Sequence, residues 1–215
     1  MHGRNHLHQA ASEYLRSAAL QEVWWHEWGP EAFALARTLG RPILLNIGAS
    51  WCRACRTMDR EVYARSDIAA TINERFVAIR VDRDERPDID ARYQTAVQAI
   101  AEHGGLPLTV FCTSEGDVYH GATIIGGDPE GAEKDIRELL AELADVYARD
   151  RESIHGAAQF LREQLRKYFA LDIPGGRLAD AVPALVARAA TASYDPQFGG
   201  LQSGAERFAE AGFWR

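Results

Sequence analysis

Two cysteines three residues apart, Cys52 and Cys55, stand in the run Ser50-Trp51-Cys52-Arg53-Ala54-Cys55-Arg56. An apolar, β-prone segment, Pro42-Ile43-Leu44-Leu45-Asn46-Ile47, leads into them, and helical periodicity follows. Residues three apart on a first helical turn are neighbours, close enough for a disulfide to close without moving the backbone. The chemistry such a pair supports is thiol–disulfide exchange. Cys52, at the helix start, meets free N–H groups and the positive end of the helix dipole, which favour a thiolate. Arg53 and Arg56 add positive charge, so the expectation is a lowered pKa for Cys52, with Arg53 as its thiolate-stabilising neighbour. Cys55, one turn further on, is the expected buried partner that resolves a mixed disulfide.

Two blander chemistries use the same spacing. A closed structural zinc site needs four ligands. The only other cysteine is Cys112, and no second paired cluster exists, so zinc would have to recruit histidines from elsewhere. Two inert buried cysteines fit poorly with Trp51 and two arginines, which suit an exposed, electropositive turn. Cys112 lies between apolar residues of a β-run and reads as a small core residue. No metal or cofactor is expected.

The remaining sequence must position this turn. With 215 residues, 47% hydrophobic and 26% charged, the chain can build one well-filled domain plus additional elements. A net charge of -7 argues against general nucleic-acid or anionic-membrane binding, and no apolar run reaches membrane-spanning length. His2, Arg4, His6, His8, Glu13 and Arg16 interrupt the N-terminus, so no secretory apolar core is expected. Three cysteines without a framework pattern fit a reducing compartment, and cytoplasm is the expected location.

Residues 1–22 read as a frayed His-rich tail followed by a short helix from Ser12. Trp24, Trp25 and Trp28 are expected to pack an entry segment onto a core edge, with a ligand platform as the sharper alternative. Pro30 starts a helix that Gly40 stops. Past the cysteines, Ser66 and Asp67 look like a helix cap, and Phe76 to Val81 reads as a second strand. The charged stretch Asp82 to Asp90 alternates in sign around Pro87, as in a salt-bridged loop entering a helix. A further strand follows Pro107, and Val118-Tyr119-His120 reads as an edge strand. The expected organisation is a tail and short helix over 1–22, a main domain over 23–150, and a helical extension over 151–215 with a hinge at Pro174-Gly175-Gly176.

Taken together, several blocks resemble the N-terminal thioredoxin-like domain of the spermatogenesis-associated protein 20 family. They are Trp28-Gly29-x-Glu31-Ala32-Phe33, Pro42-Ile43-Leu44-Leu45-x-Ile47-Gly48, Cys52-x-x-Cys55-x-x-Met58, Val81-Asp82-Arg83-x-Glu85-Arg86-Pro87-Asp88-Ile89-Asp90 and Gly104-Gly105-x-Pro107-Leu108-Thr109-Val110-Phe111. The blocks span about residues 24–125, and their specificity lies in order and spacing. The tail from Tyr194 to Gly200 resembles the start of that family's long helical domain, which this chain stops short of. The resemblance implies an α/β, thioredoxin-like fold: a central mixed sheet of four to five strands flanked by helices, with extra C-terminal helices. It also implies a cis Pro107 facing the cysteines, where Trp51, Leu106 and Pro107 form a docking surface. Without an N–H at Pro107, the Leu106 backbone is left to pair with an extended substrate. Asn46 stands where ordinary thioredoxins place a buried aspartate, six residues before the first cysteine, and an amide cannot take up a proton as a carboxylate does. The implied activity is thiol–disulfide exchange with a protein disulfide substrate or a reductase partner, without nucleic acid or membrane. The alternative is a redox-inactive binding or scaffold module on the same fold.

Overall fold

The computed structural model describes residues 3–102, 104–123, 136–169, 181–192 and 194. The chain forms two compact units, residues 1–171 and 172–215. The expected hinge at Pro174-Gly175-Gly176 and the family-like tail after Tyr194 lie outside the described residues.

The first unit is built on one five-stranded sheet. Its strands are β1 (His26–Glu27), β2 (Ile43–Gly48), β3 (Val77–Asp82), β4 (Leu108–Cys112) and β5 (Val118–Ala122), in the order β1-β3-β2-β4-β5. The pairs β1–β3 and β2–β3 run parallel; β4 runs antiparallel to β2, and β5 antiparallel to β4. A mixed sheet with this crossover, flanked by helices and continued by C-terminal helices, is a thioredoxin-like fold. β2 and β3 are buried at every position, as their apolar runs require when helices cover both faces.

The helices of this unit are α1 (Glu13–Ser17), α2 (Pro30–Leu39), α3 (Arg53–Met58), α4 (Ser66–Arg75), α5 (Pro87–Ala101), α6 (Ile136–Arg149) and α7 (Arg151–Phe169). Their ends follow local chemistry. Ser12 caps α1, its hydroxyl accepting from the Leu15 N–H. Pro30 and Pro87 occupy first-turn positions that lack an N–H partner anyway. Gly40 ends α2 at φ 63, a left-handed cap that glycine adopts without a Cβ penalty. The expected Ser66 cap does not form: Arg65 occupies the cap position and the Ser66 hydroxyl donates to Glu22 instead. In the second unit α8 (Val182–Ala192) carries Pro183 in its first turn, where its missing N–H removes no helical hydrogen bond.

Alternation along the strands divides the core in two. Ile43, Leu45, Ile47, Val77, Ile79, Val81, Leu108, Val110 and Cys112 face α2 and α5. Leu44, Ala78 and Phe111 face the opposite way, towards a cluster holding both Cys52 and Cys55. The N-terminal segment belongs to this second cluster, which corrects the expectation of a frayed tail. Leu7 is fully buried, the Asn5 side chain donates to the carbonyls of Ala18 and Gln21, and the His6 N–H donates to Trp25 O at 2.9 Å. Asn5 thereby supplies hydrogen bonds that a polar tail would otherwise take from water. Trp25 is buried beside Tyr63, while Trp28 packs edge-on against Phe33 and Tyr93, so these tryptophans are packing groups.

Helix α7 lies in the first unit, and its Arg162 reaches the buried Asp117 at 3.0 Å. If the N-terminal segment is core, Leu7→Ala loses a fully buried side chain and costs about 2–5 kcal/mol in a denaturant melt. A frayed tail would give no change.

Candidate functional site

Cys52 and Cys55 are joined as a disulfide, with Cα atoms 5.3 Å apart. The local sequence explains the geometry. Gly48 and Ala49 carry the chain off the end of β2; Cys52 takes an extended conformation at the N-cap of α3; Cys55 lies on its first turn. The Cys55 N–H donates to Cys52 Sγ at 3.0 Å, so a sulfur fills the place usually taken by a capping oxygen. Cys52 is only 6% exposed and Cys55 2%, so the sulfurs are less open than the flanking charges suggest. What is exposed is the rim: Trp51 is 52% exposed, and Arg53, Ala54 and Arg56 also face solvent. Arg56 turns back to donate to Ser50 O at 2.7 Å.

Trp51 is held in place. Its indole N–H donates to Asp84 at 2.8 Å, and the Arg83 guanidinium lies 5.8 Å from its ring centre. The loop after β3 thus braces the tryptophan while keeping its own ion pairs, Arg86–Asp88 at 2.7 Å and Arg83–Asp90 at 3.1 Å. The Leu106–Pro107 peptide is cis. Register places it: Leu108 pairs with Ile47, so Pro107 enters beside the end of β2, from which the redox turn departs. Pro107 is buried, and the half-buried Leu106 packs against the cluster containing both cysteines.

Under the disulfide lies a feature the sequence reading did not anticipate. Asn46 pairs in register with Arg80 on one side and Thr109 on the other, so three polar residues cross the sheet in one row on the cysteine-facing side. Each takes a partner from the layer above. Asn46 Oδ1 accepts from the Tyr14 hydroxyl at 2.9 Å, Thr109 Oγ1 lies 3.4 Å from the Tyr63 hydroxyl, and Arg80 makes two 2.7 Å bonds to Asp59. The Arg80 guanidinium is fully buried, 4.1 Å from the Tyr14 ring centre and 5.6 Å from that of Trp25. Asp59 and Tyr63 bracket a single π turn, Asp59–Tyr63, that continues α3. Burial pushes both the Tyr14 and Tyr63 hydroxyls above the ordinary tyrosine value, with Arg80 pulling the other way. One signal was available: Arg80 is a lone charge inside the apolar run Phe76 to Val81, and a buried charge requires a partner.

Cys112 is fully buried, and that burial raises its thiol pKa, in keeping with its expected place as a core residue. Among the described residues no group of three or more His, Cys, Asp or Glu could hold a metal ion, and no helix is long and apolar enough to cross a membrane.

The chain is similar to several known proteins. Residues 4–166 match the Thioredox_DsbH family, described as "Protein of unknown function, DUF255". An uncharacterised Caenorhabditis elegans protein is 35% identical over 151 residues, 70% of this chain and 21% of its own length. Spermatogenesis-associated protein 20 of Rattus norvegicus is 30% identical over 200 residues, 92% of this chain and 25% of its own. The chain therefore spans a quarter or less of the length of these relatives. The solution structure of a thioredoxin from Thermus thermophilus aligns with a TM-score of 0.41 and 23% identity, over 58% of this chain and 87% of that one.

Removing one member of the buried ion pair isolates a charge. Asp59→Ala is expected to cost about 3–5 kcal/mol in a denaturant melt. Replacing both partners by apolar residues, Asp59→Leu with Arg80→Met, should restore most of that loss.

Proposed function

The chain belongs to the Thioredox_DsbH (DUF255) family, and from that premise we propose that it is a thiol–disulfide oxidoreductase acting through Cys52 and Cys55. One observation carries the reading: Cys52 Sγ sits at a helix N-cap, accepts the Cys55 N–H at 3.0 Å, and is already bonded to Cys55 beside an exposed, braced Trp51. Opening the disulfide leaves Cys52 Sγ where a helix start favours negative charge, which lowers its pKa and raises the thiolate fraction.

In the reducing direction Cys52 thiolate attacks a substrate disulfide. One substrate sulfur joins Cys52 and the other leaves as a thiolate. Cys55 thiolate then attacks Cys52 Sγ, releasing the second substrate sulfur and closing the Cys52–Cys55 disulfide. The substrate gains two electrons and the dithiol loses them. Trp51 supplies apolar contact, and the Leu106 backbone beside Pro107 supplies the edge for an extended peptide, so the substrate class is a protein disulfide. Arg53, exposed at the first helical position, adds positive charge at the mouth of the site. A reducing compartment such as the cytoplasm fits the sparse cysteine usage.

The small exposure of Cys52 favours a rival in which the fold binds partners and the sulfurs are idle. Alkylation of the reduced chain against pH distinguishes the two. Cys52 should titrate clearly below the unperturbed value of about 8.5. Cys55→Ser should also trap partners from extract as reductant-sensitive adducts that Cys52→Ser/Cys55→Ser does not form. An unperturbed titration, or equal capture by the double variant, would reject the redox reading.

A further inference from the structure

The second half of this exchange needs a Cys55 thiolate, formed at a sulfur that is 2% exposed and has no carboxylate on the strand beneath it. Asn46, on that strand, cannot accept a proton and is bonded through Oδ1 to the Tyr14 hydroxyl, while the Asp82 carboxylate, paired in register with Gly48 on the next strand, is taken up by the Ser12 hydroxyl and the Asp84 N–H. The Asn46 Nδ2 is buried without an acceptor.

Tyr14 approaches from outside the sheet. The Ser12-capped helix α1 carries it, and the buried bond from the Ser12 hydroxyl to Asp82, 2.6 Å long, ties that helix to the end of β3. The Arg80 guanidinium lies over the Tyr14 ring, 4.1 Å from its centre, and the hydroxyl reaches the face of Gly48. Cys55 Sγ reaches the same spot: a methyl group at Gly48 would overlap the Tyr14 hydroxyl and lie 3.0 Å from Cys55 Sγ. Glycine at 48 is therefore what lets a phenol and a sulfur converge there.

The geometry points to Tyr14 as the hydrogen-bond donor that stabilises the Cys55 thiolate, its hydroxyl switching acceptor from Asn46 Oδ1 in the disulfide state to Cys55 Sγ in the open dithiol. This inference rests on the oxidoreductase reading and assigns a residue to its resolving step. Tyr14 transfers no net proton. Cys55 gives its proton to solvent; its thiolate then attacks Cys52 Sγ of the mixed disulfide, the Cys52–Cys55 bond forms as the Cys52–substrate bond breaks, the electron pair leaves on the substrate sulfur, and the Tyr14 hydroxyl turns its hydrogen bond back to Asn46 Oδ1. Two features suit Tyr14 to donate and not to act as a base. Burial holds its hydroxyl protonated well above neutral pH. Arg80, paired to Asp59, supplies a fixed positive charge behind the ring and so favours an anion nearby.

Stopped-flow reaction of the reduced full chain with an activated aromatic disulfide, whose thiolate product is coloured, tests the assignment. The first equivalent released reports Cys52 and the second reports Cys55. Tyr14→Phe keeps the ring on Arg80 and removes only the hydroxyl. The pH midpoint of its second phase should rise by about one unit, and the first phase should be unchanged. Below the midpoint the thiolate fraction falls about tenfold, and greater nucleophilicity recovers part of it, leaving that phase roughly three- to fourfold slower. Asn46→Ala removes the competing acceptor and should move the same midpoint the opposite way. A packing role alone would not give opposite shifts. Coincident second-phase profiles for Tyr14→Phe and the parent chain, or an upward shift in Asn46→Ala, overturn the assignment. If Tyr14→Phe does not fold, the sign of the Asn46→Ala shift decides. A parent chain with no first phase overturns the oxidoreductase reading itself, and this inference with it.

Discussion

A fully buried guanidinium constrains the rest of this molecule. Arg80 stands in the middle of a strand covered on both faces, and a charge in that position is tolerated only when it is paired and its remaining surroundings are polarisable. The chain meets both conditions from outside the sheet. Asp59 provides a bidentate carboxylate, and Tyr14 and Trp25 provide aromatic faces, an arrangement that gains strength as water is excluded. The N-terminal residues thus lie over the sheet where they cover this arginine. The buried Leu7 and Ala10 and the anchored Asn5 belong to the same segment.

The same constraint accounts for the composition beneath the disulfide. One buried cation balances one carboxylate. Asp59 already fills that place from the π turn, 2.7 Å from Arg80 through each oxygen. A second acid at position 46, adjacent in register to Arg80, would bring an unpaired negative charge into the core or divide the arginine between two partners. A neutral amide at Asn46 avoids both. The π turn is part of the same solution, since it continues α3 from the cysteines and sets Asp59 and Tyr63 over Arg80 and Thr109. Such turns recur at functional sites because they redirect side chains that a regular helix would aim elsewhere.

Much of this was legible in the residues, and the part that was not has a physical cause. The strands, the redox turn, the helix stop at Gly40 and the helix start at Pro87 follow from short-range rules of burial, capping and dihedral preference, and local sequence carries those rules. Cys112 fell to the core for the same reason. The N-terminal segment was misread because polarity predicts fraying unless a distant partner exists, and the partners of Asn5 are backbone carbonyls at Ala18 and Gln21. The polar row was missed because Asn46, Arg80 and Thr109 are adjacent only through strand register, which no single strand reveals. Tyr14 lies on the short helix expected from Ser12, and its hydroxyl acquires meaning only where it meets Asn46.

What the arrangement achieves is two unlike environments for two chemically identical sulfurs. Disulfide exchange in one direction asks the leading cysteine to ionise readily and be reachable, and the trailing one to stay unreactive until a mixed disulfide forms beside it. The surface half of the site acts on Cys52: a helix start, the arginines at the rim, and Trp51 fixed by Asp84. The buried half brings a phenol kept protonated by burial towards Cys55, and that phenol rests in turn on a guanidinium paired with its carboxylate. Solvent screening reaches the first set and hardly touches the second. Ionic strength and surface substitutions should therefore tune attack by Cys52, whereas only changes within the core reach the step that belongs to Cys55. Under the proposed oxidoreductase reading, that separation would let a surface adapt to a substrate without disturbing the resolving sulfur.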